Sequence, residues 1–167
     1  TVQRNIRLLS QEGILFVEPE EGPLACGETG KGRMARSDMI LETIRSCFYK
    51  QDLKDKKIVV TAGPTREYID PVRFISNRSS GKMGYAIAQS AKRRGGRVTL
   101  ISGPTHIHKP CNIPIINVEN AEDMYKAVIE HTEDAHILVM SAAVSDYKPA
   151  KFNDSKLEKA DKLTLEI

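Results

Sequence analysis

Tryptophan is missing from the 167 residues, and four phenylalanines and five tyrosines bring the aromatic share to only 5%. A nucleic-acid surface concentrates Lys and Arg and interleaves exposed aromatic rings for base stacking. Here 25 basic residues are scattered among 22 acidic ones, for a net charge of +3. No nucleic-acid partner is expected, and the mild basicity suits a phosphorylated small molecule better. Cysteine is scarce too: Cys26, Cys47 and Cys111 are odd in number and widely spaced, so neither a disulfide framework nor a paired metal knuckle is indicated. Cys47 reads as a core residue on a helix face and Cys111 as a loop thiol. No apolar run reaches the roughly 18 residues of a membrane span, and Thr1-Val2-Gln3-Arg4-Asn5 lacks the basic-then-apolar start of a signal peptide. A cytoplasmic location with no membrane partner is expected.

What the chain does contain is a change of pattern near residue 51. Before it, Val2, Ile6 and Leu9 recur at helical spacing up to Gly13. Ile14-Leu15-Phe16-Val17 reads as a short strand, Glu18 to Met34 as a glycine- and proline-rich loop, and Ser37 as the cap of a helix. The apolar face of that helix is Ile40, Leu41, Ile44, Cys47 and Phe48. The charged stretch 51–57 reads as a linker. Beyond it, strands at Ile58–Ala62, Val98–Ile101, Ile113–Val118 and His136–Met140 alternate with helices; Pro114, which cannot donate to a ladder, places the start of the third at an edge. One helix carries Met83, Ile87, Ser90 and Ala91 on a face and ends at Gly95-Gly96; the next is capped by Asn120 and turns Met124, Val128 and Ile129 inward. Leu163 to Ile167 reads as a final strand. The expected fold class is α/β, a Rossmann-like parallel sheet with flanking helices, preceded by a small separate segment.

In an open parallel sheet ligands bind beyond the carboxyl ends of the strands. The loop from Gly63 to Lys82 is much longer than the 2 to 6 residues usual for such a connection. Ser79, Ser80 and Gly81 stand just before a helix, where free N–H groups favour a phosphate, and Lys82 adds a charge. Gly84 reads as a residue that permits close packing on the strand. Two familiar phosphate motifs fail here. The dinucleotide fingerprint G-x-G-x-x-G is broken because Pro64 and Thr65 follow Gly63, and the Walker loop is broken by Ser76 and Met83.

Together, Thr61 to Glu67, Asp70-Pro71-Val72-Arg73, Ile75-Ser76-Asn77, Ser79 to Gly84, Ser141 to Val144 with Asp146-Tyr147, and Lys156 to Lys159 carry a resemblance. They resemble the ligase domain of the bifunctional phosphopantothenoylcysteine decarboxylase and phosphopantothenate-cysteine ligase of coenzyme A biosynthesis. Gly22 to Glu28 with Gly30 to Met34 looks like the substrate clamp near the end of its flavin-dependent decarboxylase domain. The domain plan implied is 1–50 decarboxylase tail with the clamp, 51–57 linker, and 58–167 CTP-binding part of the ligase. The flavin-binding bulk and the last part of the ligase are expected to lie outside the chain.

The resemblance implies that CTP activates the carboxylate of 4′-phosphopantothenate as an acyl-cytidylate, with loss of pyrophosphate, and that the amine of cysteine displaces CMP. Its cofactors are Mg2+ beside the nucleotide and FMN in the decarboxylase domain, with a homo-oligomer as the assembly; it leaves the metal ligands unknown. Asn77 matches the residue that contacts the acyl group, an amide that donates without adding charge. Met140, Ser141, Ala142 and Asp146 match the CTP-contacting segment, whose small residues let backbone N–H and C=O groups read the base; Asp146 reads the cytosine amine or stands near the metal. Lys156 matches the lysine that supports acyl-cytidylate formation and contacts the nucleotide, although Glu158 replaces a lysine of that signature. Cys26 matches the acid of the decarboxylase. Two other readings stand beside this one: a nicotinamide-dependent reductase, against which Ser102-Gly103-Pro104 occupies the place of the ribose-binding acid, and a non-catalytic assembly segment.

Overall fold

The computed structural model describes residues 1–24, 26–158 and 164–167. Ala25 of the clamp motif, Lys159 of the lysine signature and Leu163 lie outside the described residues. The chain divides into two compact units, Thr1–Phe48 and Tyr49–Ile167.

The first unit opens with helix α1, Val2–Gln11. Gly13, at φ +86°, ends it: the Gly13 N–H donates to Ser10 O at 3.1 Å and the Ile14 N–H to Leu9 O at 3.1 Å. This is the paired carbonyl satisfaction of a left-handed glycine stop. The strand expected at 14–17 does not form. Ile14, Leu15 and Phe16 are exposed, and an apolar β-prone run without a ladder partner gains nothing from extension. Conversely, the expected loop 18–34 contains an antiparallel hairpin, β1 (Glu20–Pro23) and β2 (Thr29–Arg33), pairing Gly22 with Gly30 and Pro23 with Thr29. Glycine composition reads as loop, yet a ribbon held by backbone pairing needs no buried side chains. Helix α2, Ser37–Cys47, begins one residue earlier than the cap reading allows, with Arg36 as N-cap. Its apolar face is not a core face: Leu41, Ile44 and Phe48 are exposed, and so is Cys47. Within the first unit Ala35 is the buried hydrophobic among the described residues, so there is little core for that face to join.

The second unit is built on a four-stranded, all-parallel sheet: β3 (Lys57–Ala62), β6 (Arg97–Ser102), β7 (Ile115–Asn117) and β8 (Ile137–Met140), in the order β7-β6-β3-β8. A short antiparallel hairpin, β4 (Arg66–Tyr68) and β5 (Phe74–Ser76), folds out of the long loop. Helices α3 (Lys82–Arg93) and α4 (Ala121–Thr132) cover opposite faces of the sheet. Strand alternation explains the division. Ile58, Val60, Ala62 and Leu100 meet Tyr85, Ala88 and Ala91 of α3, whereas Val59, Ile101 and Val118 meet Met124, Ala127 and Val128 of α4. Val60 and Leu100 are fully buried, each contributing roughly 1.5–3 kcal/mol of transfer free energy.

Several details differ from the sequence reading. Met83 and Ile129, expected inward, are 64% and 56% exposed. The buried face of α3 is Gly84, Tyr85, Ala88 and Ala91, one step round from the face expected. The stretch 51–57 is folded, not a free spacer: the Leu53 N–H donates to Arg94 O, Asp52 pairs with Arg94, and Lys57 already belongs to β3. Asp52 and Gln51 find fixed partners at the end of α3, in Arg94 and the Arg93 carbonyl, which composition cannot reveal. Residues 164–167 are not a strand. As expected, Pro114 stands at the start of an edge strand, and the Asn120 side chain caps α4 by accepting the Asp123 N–H at 2.8 Å. No helix among the described residues is long and apolar enough to cross a membrane.

Candidate functional site

After β3 the chain moves outward on one side through β6 and β7, then returns to place β8 on the other side of β3. The order reverses between β3 and β8, so the crevice of an open α/β sheet opens at their carboxyl ends. The segment after β8 is held there by the segment after β3. Thr61, fully buried near the end of β3, accepts at Oγ1 the N–H of Ser141 (3.0 Å) and of Ala142 (3.1 Å). The Ser141 hydroxyl returns a bond to Thr61 O at 2.5 Å. The Ala143 N–H donates to Gly63 O at 2.8 Å. Thr65, also fully buried, accepts the Ser145 N–H at 2.9 Å. Finally the Asn77 amide donates to Val144 O at 2.9 Å, bringing the far end of the long loop onto the same segment.

Asn77 thus lies against the stretch that contains Ser141 and Ala142, and one of its two amide hydrogens is committed. The backbone N–H groups of Ser141, Ala142 and Ala143 are committed as well, so base reading by those particular donors, as expected from the sequence, is not open to them. Met140 and Asp146, at either end, are exposed.

The helix α3 approaches the same crevice end-on. Gly81 is its N-cap at φ +75°, a left-handed conformation that glycine adopts without strain. As a glycine, the N-cap residue has no side chain with which to cap the helix, and no acid stands in the first turn. The hydroxyls of Ser79 and Ser80 accept the N–H groups of Gly81 and Lys82 at 3.3 and 3.4 Å, and Lys82 is exposed. Gly84 faces the sheet so closely that a Cβ would stand 2.5 Å from Ala62 Cβ and 2.7 Å from Ser141 Oγ. The packing role read for Gly84 therefore includes contact with the crevice itself. Behind it, Tyr85 Oη lies 3.1 Å from Ser102 Oγ and accepts from Thr105 Oγ1 at 3.1 Å, fixing the loop after β6.

Lys156 is exposed on a segment fastened to the long loop. The Leu157 N–H donates to Asp70 Oδ2 at 3.2 Å and Leu157 O accepts from Arg73 Nη2 at 3.0 Å. The Asn153 N–H donates to Ile69 O at 3.0 Å. Asp70 is fully buried and also accepts from Arg73 Nε and from the Val72 and Arg73 N–H groups, each at 2.8 Å. The Arg73 guanidinium, opposed by burial and aided by those backbone donors, holds the Asp70 carboxyl well below the usual carboxylate range. Glu67, 7% exposed, accepts the Ala121 N–H at the start of α4 at 2.9 Å, so the hairpin is tied to a second helix.

Thr61, Thr65, Asp70 and Arg73 were not singled out from the sequence as site residues. Thr61 carried a signal, a hydroxyl inside an apolar strand, and Asp70-Pro71 has the form of a turn; nothing local reveals their partners some 80 residues away. Cys26 is exposed in the turn of the first unit's hairpin. Among the described residues no group of three or more His, Cys, Asp or Glu could hold a metal. A cavity of about 390 Å³ between Lys57, Arg97, His131 and Asp134 opens at the amino ends of β3 and β6, the end of the sheet away from the crevice. A cavity of about 260 Å³ lies at the carboxyl ends of β6 and β7, lined by Tyr85, Ser102, Thr105 and Lys109.

Known proteins match this chain closely. It is 47% identical over 159 residues to the coenzyme A biosynthesis bifunctional protein CoaBC of Vibrio vulnificus (strain YJ016), covering 95% of the chain and 40% of that protein. It is 45% identical over 171 residues to the protein of the same name from Bacillus subtilis (strain 168), covering 99% and 42%. The chain thus spans about two-fifths of the length of these relatives. Among solved structures, the crystal structure of the C-terminal domain of a coenzyme A biosynthesis bifunctional protein CoaBC matches with a TM-score of 0.58 and 46% identity, covering 64% of this chain and 56% of that one. The profile of the DNA/pantothenate metabolism flavoprotein C-terminal domain matches residues 53–167. With more than half of its length so matched, the chain belongs to the DNA/pantothenate metabolism flavoprotein C-terminal domain family.

Proposed function

We propose that residues 58–167 form the CTP-binding part of a phosphopantothenate-cysteine ligase, in a protein that also decarboxylates the ligated product. The observation that carries this reading is the bond from the Asn77 amide to Val144 O, which unites the loop after β3 with the segment after β8 at the switch of strand order. In this reading the triphosphate rests at the N-terminus of α3, near Ser79, Ser80, Gly81 and Lys82, where the helix dipole favours anions. Lys156 offsets charge on the triphosphate while the carboxylate of 4′-phosphopantothenate attacks the α-phosphorus and pyrophosphate leaves. Asn77 keeps one amide hydrogen for the acyl oxygen of the acyl-cytidylate as the cysteine amine displaces CMP.

Because the N–H groups of Ser141 and Ala142 are engaged, cytosine recognition falls to Met140, to Asp146 and to carbonyl oxygens of the segment. Mg2+, when bound, neutralises phosphate charge; Asp146 is the exposed carboxylate of this segment. The first unit is read as a decarboxylase tail with Cys26 as proton donor, FMN supplying the redox chemistry of that step. A homo-oligomer is part of the same proposal.

Thermal-shift titration with CTP and with ATP tests it. CTP is expected to stabilise the chain more; at about 100 times Kd the linkage is roughly 2.7 kcal/mol, worth several degrees for a chain of this size. Equal shifts discard the cytosine assignment, and no shift with either nucleotide favours the non-catalytic assembly segment.

A further inference from the structure

We propose that Asp70 is a positioning residue that latches the segment around Lys156 onto the loop after β3. The inference rests on the role given to Lys156 above and adds how that lysine is held. Asp70 is fully buried, yet it lies in a loop. Its turn is already satisfied locally, since Oδ1 accepts the N–H groups of Val72 and Arg73. The other oxygen serves a remote part of the chain: Oδ2 accepts the Leu157 N–H while binding the Arg73 guanidinium. The same guanidinium then donates from Nη2 to Leu157 O.

Leu157 is therefore gripped at both its N–H and its C=O by one ion pair, as a strand would be gripped by a neighbour, but through side chains. Asn153 repeats the attachment at Ile69 O, through its backbone N–H and, at 3.4 Å, its side-chain amide. Between these two attachments lie Asp154, Ser155 and Lys156, all exposed. The long, strongly hydrated lysine side chain has no fixed partner of its own among the ion pairs and hydrogen bonds described. Among the described residues its ammonium group is aimed through its backbone, and the latch is what holds that backbone. A charge-assisted fork of this kind is geometrically selective, which an apolar contact at Leu157 would not be.

The test uses Asp70→Asn and Arg73→Lys in this chain, read by amide hydrogen exchange and by CTP binding. Asparagine keeps the shape but loses the charge on Oδ2; lysine keeps the charge but cannot bind Asp70 and Leu157 O in one plane. Both variants should speed exchange at Leu157 and across 153–158 on the order of tenfold, with β3 and β6 unchanged. Unchanged exchange at Leu157, or an equal rise in β3 and β6, overturns the proposal. For CTP, Asp70→Asn should weaken binding about as much as Lys156→Gln, and the double variant should bind no more weakly than Lys156→Gln alone. Losses that multiply in the double variant overturn it as well. If Lys156→Gln binds CTP as wild type does, the nucleotide role of Lys156 fails, and the exchange measurement alone decides whether Asp70 is the latch.

Discussion

Asn77, Thr61 and Asp70 show how differently a polar side chain can serve this crevice. Asn77 divides its amide between Val144 O and the space in front of it, whereas Thr61 spends its hydroxyl oxygen on the Ser141 and Ala142 N–H groups. Asp70 spends its whole carboxylate on ordering chain, and its ionisation makes that order pH-dependent. The Arg73 guanidinium lowers its value in the folded protein, so the unfolded chain takes up the proton first on acidification. The stabilisation is therefore complete above the ordinary aspartate value of about 3.9 and is lost as pH falls below it, toward the lowered folded value. Measured by denaturant unfolding, the advantage of wild type over Asp70→Asn should stay constant from neutral pH to about pH 5 and shrink below about pH 4. An advantage that grows on acidification would mean the carboxyl is not ionised in the folded protein.

Helix α3 is the element on which the crevice depends most, because its first turn and the end of β3 share one contact. A methyl group at position 84 would meet Ala62 Cβ, Ser141 Oγ and Thr61 O, all within 2.8 Å. Two of these are on β3, the other is on the segment after β8, and neither can yield without opening the Thr61 bonds. Gly84→Ala is expected to cost roughly 1–3 kcal/mol as overpacking, despite the higher helix propensity of alanine. Thermal unfolding should register a fall in Tm, and CTP binding should weaken with it. An unchanged or raised Tm would show that α3 can slide away from the strand freely. The hairpin β4–β5 is anchored at the other helix, where Glu67 accepts the first N–H of α4 and Arg66 lies 3.9 Å from Glu119.

On the scale of the molecule the two units differ in what they bury. The second contains both hydrophobic clusters, while α1 and α2 of the first contain no buried residue. Local stability follows buried apolar contact. Amides of α1, α2 and the β1–β2 hairpin should therefore exchange well before those of β3 and β6. Timed alkylation should modify Cys26 and Cys47 at similar rates, since both are exposed, in place of the slow reaction expected of a Cys47 in a core. Strong protection of Cys47 would show that α2 is covered in solution.

The alternation of apolar strands and amphipathic helices determined by itself that the second unit is a parallel α/β sheet, because a strand buried on both faces must be apolar throughout, and Ile58-Val59-Val60 is. Local chemistry likewise determined the Gly13 stop, the Asn120 cap and the edge position of β7. The motifs from Thr61 to Gly84 were enough to point to the family. Helix faces were legible only to within one step: the period places a stripe, but the neighbour decides which side of the stripe is covered, so Met83 and Ile129 came out exposed. The unpaired run 14–17 and the glycine hairpin failed for the converse reason, that a strand exists only by its partner. What only the tertiary structure decided is the wiring of the crevice. The Asp70 carboxylate is joined to Leu157 and the Thr61 hydroxyl to Ser141 across some 80 residues, and hydrogen bonds of that span leave no periodicity or spacing behind, because their geometry is set by the order in which β3, β6, β7 and β8 come to lie side by side.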